Sequence, residues 1–393
     1  KLKMPPILSS IIRDEVEHIE GASNAQLSAI DGIAKEFDLT VEKLSEIIKY
    51  FCNEMDKGLE KTGMNVAMIP MTGVPTGKEV GTFLALDLGG TNLRVCEFTF
   101  EGEGIVKSKQ HKYRITEAQR TGSGRQLFDF IADCVDKFLA EFVTDYTENA
   151  KIFKMGFTFS FPVEQTAINK GTLIKWTKGF TCSDSENKDV VFMLQEALNR
   201  KGVPAVVSAL VNDTVGTLLS HSYKDPKTLI GIIYGTGTNG AYYENISKIK
   251  KLNKIPDASE KMIINVEWGA FDSETEYMSV IEADESHTLD DTKKVLEESL
   301  NIPSTTLTDR QIVKRVCQIV GLRAARLSST TLAAVIIHCG MVECGVSVGI
   351  DGTLFELYPH FSERLETALR ELFGTNFNKV KISLARDGSG VGA

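Results

Sequence analysis

The sequence predicts an α/β protein with two lobes. Apolar segments of strand-like composition alternate with amphipathic segments of helical period along the chain, which is typical of mixed sheets flanked by helices. The chain has 393 residues, too many for one core of ordinary size, so we expect two lobes. A glycine- and threonine-rich turn between two apolar strands also occurs twice, which suggests one such turn in each lobe.

The individual elements follow from hydrophobic spacing and from turn residues. Helical spacing predicts helices over residues 27–59, with Thr40 as a candidate N-cap, and over residues 126–142, 214–223 and 308–341. Apolar runs predict strands over residues 82–86, 93–100, 155–161, 206–211, 229–234 and 347–357. The stretch 70–78 is rich in Pro, Gly and Thr, which indicates a linker.

Charge and cysteine content limit the function and the compartment. The net charge of −9 argues against nucleic acid, because an acidic protein lacks the counterion-releasing surface that backbone binding needs. The seven cysteines are scattered without a CxxC pair, which favours a reducing compartment. The longest apolar stretch, residues 332–342, is too short to cross a bilayer, and the N-terminus lacks the apolar core of a signal peptide. We therefore expect a cytoplasmic protein without a membrane partner.

Two segments share the order of apolar strand, Gly/Thr turn, Asn and apolar strand, namely residues 84–92 and residues 230–239. Two equivalent phosphate-binding hairpins would explain the similarity, and two ordinary hairpins that need glycine for positive φ are the alternative. The second segment also contains a GxGxxG match. A dinucleotide fold requires that motif to open a helix, whereas residues 241–244 predict a strand. Residues 73–78 are one residue short of a Walker A loop, and Glu79 stands where that loop has the Ser/Thr that holds magnesium. We therefore do not predict a Walker A loop.

Further segments are more specific together than singly. In chain order they are residues 86–94 (LDLGGTNLR), 159–162 (FSFP), 175–180 (KWTKGF), 210–214 (LVNDT), 235–239 (GTGTN) and 266–271 (VEWGAF). With these motifs the chain closely resembles the eukaryotic hexokinase family from about residue 67 to the end. The motif sequences are more similar to those of fungal hexokinases than to those of bacterial glucokinases. The closing residues 387–393 (DGSGVGA) resemble that family's adenosine motif. The resemblance implies a two-lobed actin-like (ribonuclease H-like) ATPase fold that uses ATP and Mg²⁺.

The resemblance places the nucleotide phosphates at the two glycine turns. Asp87 would hold Mg²⁺, directly or through water, because Mg²⁺ usually keeps several waters and takes few protein ligands. Arg94 is equally suited to a phosphate contact and to a structural ion pair. The nucleotide-binding residues implied by the resemblance are Asp87, Gly89, Gly90, Thr91, Asn92, Arg94, Thr236, Gly237, Gly388 and Ser389.

By the same resemblance, Asp213 is the catalytic base. It follows an apolar strand and begins a predicted helix, so its carboxylate would face the positive end of the helix dipole and stay ionised at neutral pH. A plain N-cap aspartate is the alternative. Lys178 would stabilise the charge that develops during transfer. The sugar-binding residues implied by the resemblance are Ser160, Thr177, Lys178, Asn212, Asp213, Asn239 and Glu267.

Some of these residues have ordinary alternatives when they are considered singly. Asn239 also suits a turn, and Ser160 also suits a satisfied polar group before Pro162. We expect Trp176 and Trp268 to pack beside the site and not to stack on the sugar. The family's lobes would then comprise residues 1–73 and 212–393 in the large lobe and residues 74–211 in the small lobe.

The sequence departs from the family in one long segment. Family members carry a further sugar-binding glutamate after the Glu267 motif, whereas here several dozen residues are missing before Glu282. We expect residues absent from the sequence and not a natural deletion, and therefore a Cα–Cα step far above the roughly 3.8 Å of a trans peptide between Met278 and Ile281. The chain also ends within what would be the family's closing helix, at Ala393.

The function expected from this resemblance is that of an ATP-dependent hexokinase, which phosphorylates the 6-hydroxyl of glucose and related hexoses in the first step of glycolysis. Two alternatives come from other classes. A sugar-sensing regulator with little kinase activity is favoured by the missing segment but disfavoured by the intact Asp213, Lys178 and Asp87. An actin-like ATPase of chaperone or scaffold type would not need the sugar-binding set.

Overall fold

The computed structural model of the protein describes residues 19–60, 67–69, 74–143, 152–235, 237–251, 261–268, 281–386 and 388–393. Its strands are β1 (Ala67–Ile69), β2 (Val80–Leu88), β3 (Asn92–Gly102), β4 (Ile105–Arg114), β5 (Phe153–Phe159), β6 (Val163–Ala167), β7 (Lys170–Leu173), β8 (Ala205–Val211), β9 (Thr228–Tyr234), β10 (Thr238–Asn245), β11 (Lys261–Asn265), β12 (Val346–Asp351) and β13 (Val380–Leu384). Its α-helices are α1 (Asn24–Phe37), α2 (Val41–Glu60), α3 (Glu117–Thr121), α4 (Gly124–Phe142), α5 (Val190–Lys201), α6 (Asp213–Lys224), α7 (Asp290–Lys294), α8 (Leu307–His338), α9 (Thr353–Leu357), α10 (Phe361–Phe373) and α11 (Gly388–Val391).

Two mixed sheets with the same strand order form the framework. One sheet has the order β4-β3-β2-β5-β8, and the other has β11-β10-β9-β12-β13 with β1 added beside β11. In both sheets the first three strands are antiparallel and the last three are parallel. The two similar segments of the sequence occupy equivalent places, because β2–β3 and β9–β10 are both antiparallel hairpins closed by a glycine turn. The repeat in the sequence is therefore a repeat of topology.

The helix expected over residues 27–59 is wrong in one respect, since the structure divides it into α1 and α2. Asp38 has an extended backbone, and the carbonyl of Leu39 accepts a 2.8 Å hydrogen bond from Arg326 Nε in α8. Thr40 then caps α2, because its carbonyl accepts from Leu44 N at 2.9 Å and its hydroxyl accepts from Lys43 N at 3.4 Å. A tertiary contact thus ends a helix that hydrophobic spacing alone would continue.

The strand expected over residues 347–357 is also wrong in its second half. Strand β12 ends at Asp351, and α9 follows. Gly352 has φ +117°, and a side chain at that position would overlap the carbonyl of Tyr234. This backbone conformation is open only to glycine, so the chain turns sharply away from the sheet and begins a helix.

Helix α8 has 32 residues and, by length and composition, could cross a membrane. The apolar stretch considered in the sequence, residues 332–342, overlaps only the C-terminal end of this helix, which ends at His338. Burial assigns the helix instead to the core of the protein, because 67% of its most apolar window is inside. It packs against α2 and α10, and Arg326 forms a buried ion pair of 2.7 Å with Glu371 of α10.

Helix α6 lies at the junction of the two sheets. Every residue from Thr214 to Tyr223 is buried, and the helix contacts β9, β10 and β12 of one sheet and β5 of the other. Its N-terminus directly follows β8, separated only by Asn212. The chain therefore presents Asp213 where the two sheets meet. The step expected between Met278 and Ile281 lies outside the described residues, which resume at Ile281.

Candidate active site

Asn212 and Asp213 share the N-terminus of α6 but take different roles there. Asn212 is the N-cap, and its Oδ1 accepts hydrogen bonds from the Thr214 backbone N–H at 3.0 Å and from the Thr214 hydroxyl at 2.6 Å. Asp213 is the first helical residue, and its Oδ1 accepts from the same backbone N–H at 2.9 Å. Because Asn212 caps the helix, Asp213 is not required as a plain N-cap.

The charge on Asp213 depends on groups from both sheets. Burial raises the pKa of Asp213 above its ordinary value, Lys178 lowers it, Asp87 raises it, and hydrogen bonds from Ser160 and the Thr214 N–H lower it. The sequence argument considered only the helix dipole and expected a carboxylate that ionises readily. Burial is the largest influence, so the pKa of Asp213 lies above its ordinary value, which makes the ionised side chain a stronger base.

Lys178 brings positive charge to the cluster from the segment that follows β7. Its backbone is in the left-handed region, with φ 55°, and its Nζ lies 5.4 Å from the centroid of the Phe161 ring. A methyl group on Gly90 would lie 3.3 Å from Lys178 Cβ, so the first glycine turn packs directly against this lysine. Strained backbone at a non-glycine residue is frequent at functional sites, where the surrounding structure holds it.

Asn239 and Glu267 are joined in one hydrogen-bond network with Asn265. Asn239 Nδ2 donates to Asn265 Oδ1 at 2.7 Å and to Glu267 Oε1 at 3.1 Å. Asn265 Nδ2 donates to Glu267 Oε1 at 2.6 Å. Asn239 is therefore more than a turn residue, because its amide organises the acidic side chain of the neighbouring segment.

Glu267 lies in the same electrostatic field as Asp213. Burial raises the pKa of Glu267, Asp213 raises it further, and Lys178 together with the amides of Asn265 and Asn239 lowers it. Its backbone is left-handed, with φ 55°. Because these two carboxylates and the lysine affect one another's charge, the predicted residues Lys178, Asp213 and Glu267 form a single cluster.

Asp87 is buried at the end of β2 and carries a network of its own. Arg94 donates to Asp87 Oδ2 through Nη2 at 2.5 Å and through Nε at 3.1 Å. The Ser389 hydroxyl donates to the same oxygen at 3.1 Å, and the Thr158 hydroxyl donates to the carbonyl of Ser389 at 2.8 Å. Arg94 therefore forms the structural ion pair that was one of the two roles open to it.

The residues expected to contact the nucleotide phosphates lie in the two glycine turns, one in each hairpin. Gly89 N donates to the carbonyl of Asn92 at 3.1 Å, which closes the first turn and leaves Thr91 exposed. In the second turn Gly235 N donates to the carbonyl of Gly237 at 3.0 Å, and Gly237 faces open space. Thr236 lies outside the described residues.

The closing motif reaches the ends of both sheets. Gly388 N donates to Asp351 Oδ2 at 3.0 Å at the end of β12, while Ser389 bonds to Asp87 at the end of β2. Ser389 is 4% exposed, so its side chain is directed toward Asp87. Asp387 lies outside the described residues. Helix α11 thus connects the two sheets at the level of the predicted phosphate site.

Both tryptophans are fixed by packing beside the site, as expected. Trp176 stacks on Phe180, with ring centroids 5.3 Å apart, and its Nε1 donates to the Ser185 hydroxyl at 2.7 Å. Trp268 covers Gly240, and its Nε1 donates to Thr238 Oγ1 at 2.5 Å. Thr177, beside Lys178, closes a turn through its carbonyl to Phe180 N at 3.1 Å.

One member of the cluster was missed from the sequence. Asn265 is 4% exposed and contacts both Asn239 and Glu267, but it follows an apolar run at the end of β11, where an amide suggests only a satisfied polar group. The signal available was its closeness in the sequence to Glu267, which follows two residues later, just beyond the end of β11.

Comparison with known proteins gives one answer across the chain. Hexokinase family models match residues 29–223 and, in two pieces that meet at residues 273–276, residues 229–276 and 273–393. The hexokinase of Kluyveromyces lactis is 36% identical over 447 aligned positions, which cover 93% of this chain and 91% of that protein. The glucokinase of Aspergillus niger is 34% identical, with 94% and 96% covered.

A solved structure agrees with these relatives. The hexokinase from Schistosoma mansoni complexed with glucose superposes with a TM-score of 0.84 at 32% identity, over 94% of this chain and 97% of that one. The actin-like α/β fold expected from the motifs is confirmed by this match. Because family models cover nearly the whole chain and relatives above 30% identity extend over nine-tenths of it, the protein belongs to the hexokinase family.

Proposed function

We propose that the protein transfers the terminal phosphate of ATP to the 6-hydroxyl of glucose and related hexoses. The observation that carries the proposal is the convergence of Asp213, Lys178 and the Asn239–Asn265–Glu267 network beside Asp87. A sugar presents hydroxyls that both donate and accept, and this set offers amide donors and carboxylate acceptors in one place. The similarity to hexokinases and glucokinases supports the same activity.

The proposed chemical step begins at Asp213. Its carboxylate accepts the proton of the attacking hydroxyl as the bond to phosphorus forms, and the pKa raised by burial makes it a stronger base than an exposed aspartate. Ser160 lies beside Asp213 and lowers its pKa, which favours the ionised carboxylate that the step requires. Lys178 faces Asp213 and can neutralise the charge that develops on the transferred group.

Asp87 and the first glycine turn would receive the magnesium nucleotide. The carboxylate binds Arg94 and Ser389 through Oδ2, and Oδ1 takes part in neither bond. No group of three or more acidic, histidine or cysteine side chains suited to a metal occurs among the described residues. A single carboxylate fits Mg²⁺ held chiefly by water and ATP oxygens. When bound, the ion would neutralise phosphate charge.

A glucose analogue without the reacting hydroxyl tests this proposal. We expect ADP formation from MgATP to depend on glucose and to disappear with 6-deoxyglucose, because Asp213 then has no proton to accept. Direct titration should show that 6-deoxyglucose still binds, since the other hydroxyls are unchanged. Phosphorylation of 6-deoxyglucose, or ADP formation that ignores sugar, would contradict the proposal.

A sugar-sensing regulator is the second candidate. The family match divides at residues 273–276, close to the segment that the motifs suggested is missing. Hexose binding without glucose-dependent ADP formation would identify this function instead. In either case we propose a cytoplasmic location, in keeping with the scattered cysteines.

A further inference from the structure

Asn265 occupies the last position of β11, opposite Ala241 of β10, and its side chain is almost fully buried. All the polar atoms of its amide face other members of the cluster. Its Nδ2 donates to Glu267 Oε1, and its Oδ1 accepts from Asn239 Nδ2 and makes a long 3.5 Å contact with the Thr214 hydroxyl. Thr214 follows Asp213 in α6, so Asn265 contacts neighbours of the base as well as the acidic side chain.

The orientation of the network follows from backbone donors. Asn239 Oδ1 accepts from two backbone N–H groups, those of Gly240 and Glu267, both at 2.8 Å. Because a backbone N–H can only donate, the oxygen of Asn239 must face them and its Nδ2 must point the other way. Asn265 then has to present Oδ1 to Asn239 and Nδ2 to Glu267.

This order fixes the chemistry of Glu267. Its Oε1 accepts from Asn239 and Asn265 at 3.1 and 2.6 Å and is therefore the atom that bears no proton. Its Oε2 takes part in neither bond. The carboxylate is thereby held by one oxygen, which leaves the other available to a sugar hydroxyl.

We propose that Asn265 is a positioning residue of the hexose site, which holds Glu267 Oε1 as an acceptor and directs Oε2 toward the sugar. The inference rests on the proposed function. A buried amide that serves stability alone would give the same burial, so the test must separate orientation of Glu267 from folding.

The first variant is Asn265→Ala, which removes the donor at Glu267 Oε1. We expect the glucose Kd, measured by titration without nucleotide, to rise roughly tenfold to a hundredfold, the range for loss of one hydrogen bond to a charged group. The matched control is Thr228→Val, which deletes a buried hydrogen bond to His221 at the far end of β9. The control should lower the unfolding temperature and leave the glucose Kd unchanged.

The second variant is Asn265→Asp, which has the same shape but replaces the donor with an oxygen 2.6 Å from Glu267 Oε1. Two carboxylates at so short a distance share a proton, and the pKa at which the pair loses that proton is raised. Glucose should bind while the proton is present, and the Kd should rise with pH as it leaves. The other charged groups that face Glu267, namely Lys178 and Asp213, are the same in both proteins, so wild type should lack this rise.

The outcomes separate the inference from the proposed function. A higher Kd for the alanine variant, together with a pH-dependent Kd for the aspartate variant, supports the positioning role. Unchanged glucose binding in either folded variant overturns it, even if wild type is an active kinase. If the alanine variant does not fold, the isosteric aspartate variant decides alone. A wild-type protein that binds no hexose would contradict the proposed function and the inference together.

Discussion

Lys178 is the positive charge that the two half-buried carboxylates of the site share. It lowers the pKa of both Asp213 and Glu267, against the effect of burial on each. Asp87 adds negative charge on the side of the glycine turn, where Arg94 pairs with it. The protonation of the base therefore depends on a residue from a different segment, and this dependence can be measured.

Replacing Lys178 should shift the pH dependence of the reaction. Asp213 acts as a base only when it is ionised, so kcat/KM rises with pH through its pKa. In Lys178→Met the lowering effect of the ammonium group is lost, the pKa of Asp213 rises, and the acid limb of the pH–rate profile should move to higher pH. Turnover at the plateau should fall as well, because the developing charge loses its partner.

The control for this prediction is Lys175→Met, which removes an exposed lysine three residues earlier. Its acid limb should coincide with that of wild type. If the acid limb of Lys178→Met also stays in place while turnover falls, Lys178 acts on the transferred phosphate and not on the base.

At the residue scale, the motifs identified most of the residues of the site but not the hydrogen bonds between them. Asp213, Lys178 and Glu267 come together as expected, and the resemblance was sufficient for that. Asn265 was missed because its role depends on which strand lies beside β11, and spacing along one strand cannot show this. Ser389 was expected at the nucleotide, yet the structure also gives it a bond to Asp87.

At the scale of elements, close packing of two helices holds the junction. Gly216 of α6 faces α11, and a methyl group there would overlap the carbonyl of Ser389. A methyl group on Gly392 would in turn overlap the carbonyl of Gly216. These contacts place α11, and with it the Ser389–Asp87 bond, against the helix that carries Asp213.

Gly216→Ala should therefore destabilise the protein, although alanine favours helices. We expect a loss of roughly 1–3 kcal/mol, the usual cost of overpacking, read as a lower midpoint in denaturant unfolding. Gly32→Ala in the exposed part of α1 is the matched control, since nothing lies within 4 Å of the added methyl. That change should stabilise by up to about 1 kcal/mol through helix propensity. Equal effects of the two substitutions would refute the packing argument.

Elements were predictable from the sequence where burial is one-sided. Helix α4 was placed correctly because its buried residues fall on one face. Strand β4 went unnoticed because all of its residues are exposed or half-buried, which leaves no apolar alternation to detect. The break between α1 and α2 depends on Arg326, almost three hundred residues away, and no local pattern contains it.

At the scale of the whole molecule, the two sheets repeat one topology around α6. Each contributes a glycine turn, and the shared helix carries the base at its N-terminus. The alternation of strands and helices was enough to predict an α/β protein, and the repeated segments were enough to predict two equivalent hairpins. The number of strands and the position of α6 could not be predicted, because they depend on pairing between distant parts of the chain.

The central claim, that Asp213 is the base of a glucose-dependent phosphoryl transfer, is tested most directly by Asp213→Asn. The substitution keeps the shape of the side chain and its contact with Thr214 but removes the proton acceptor. We predict that glucose-dependent ADP formation falls roughly 10²- to 10⁴-fold while the glucose Kd stays within a few-fold of wild type. Turnover equal to that of wild type would contradict the claim.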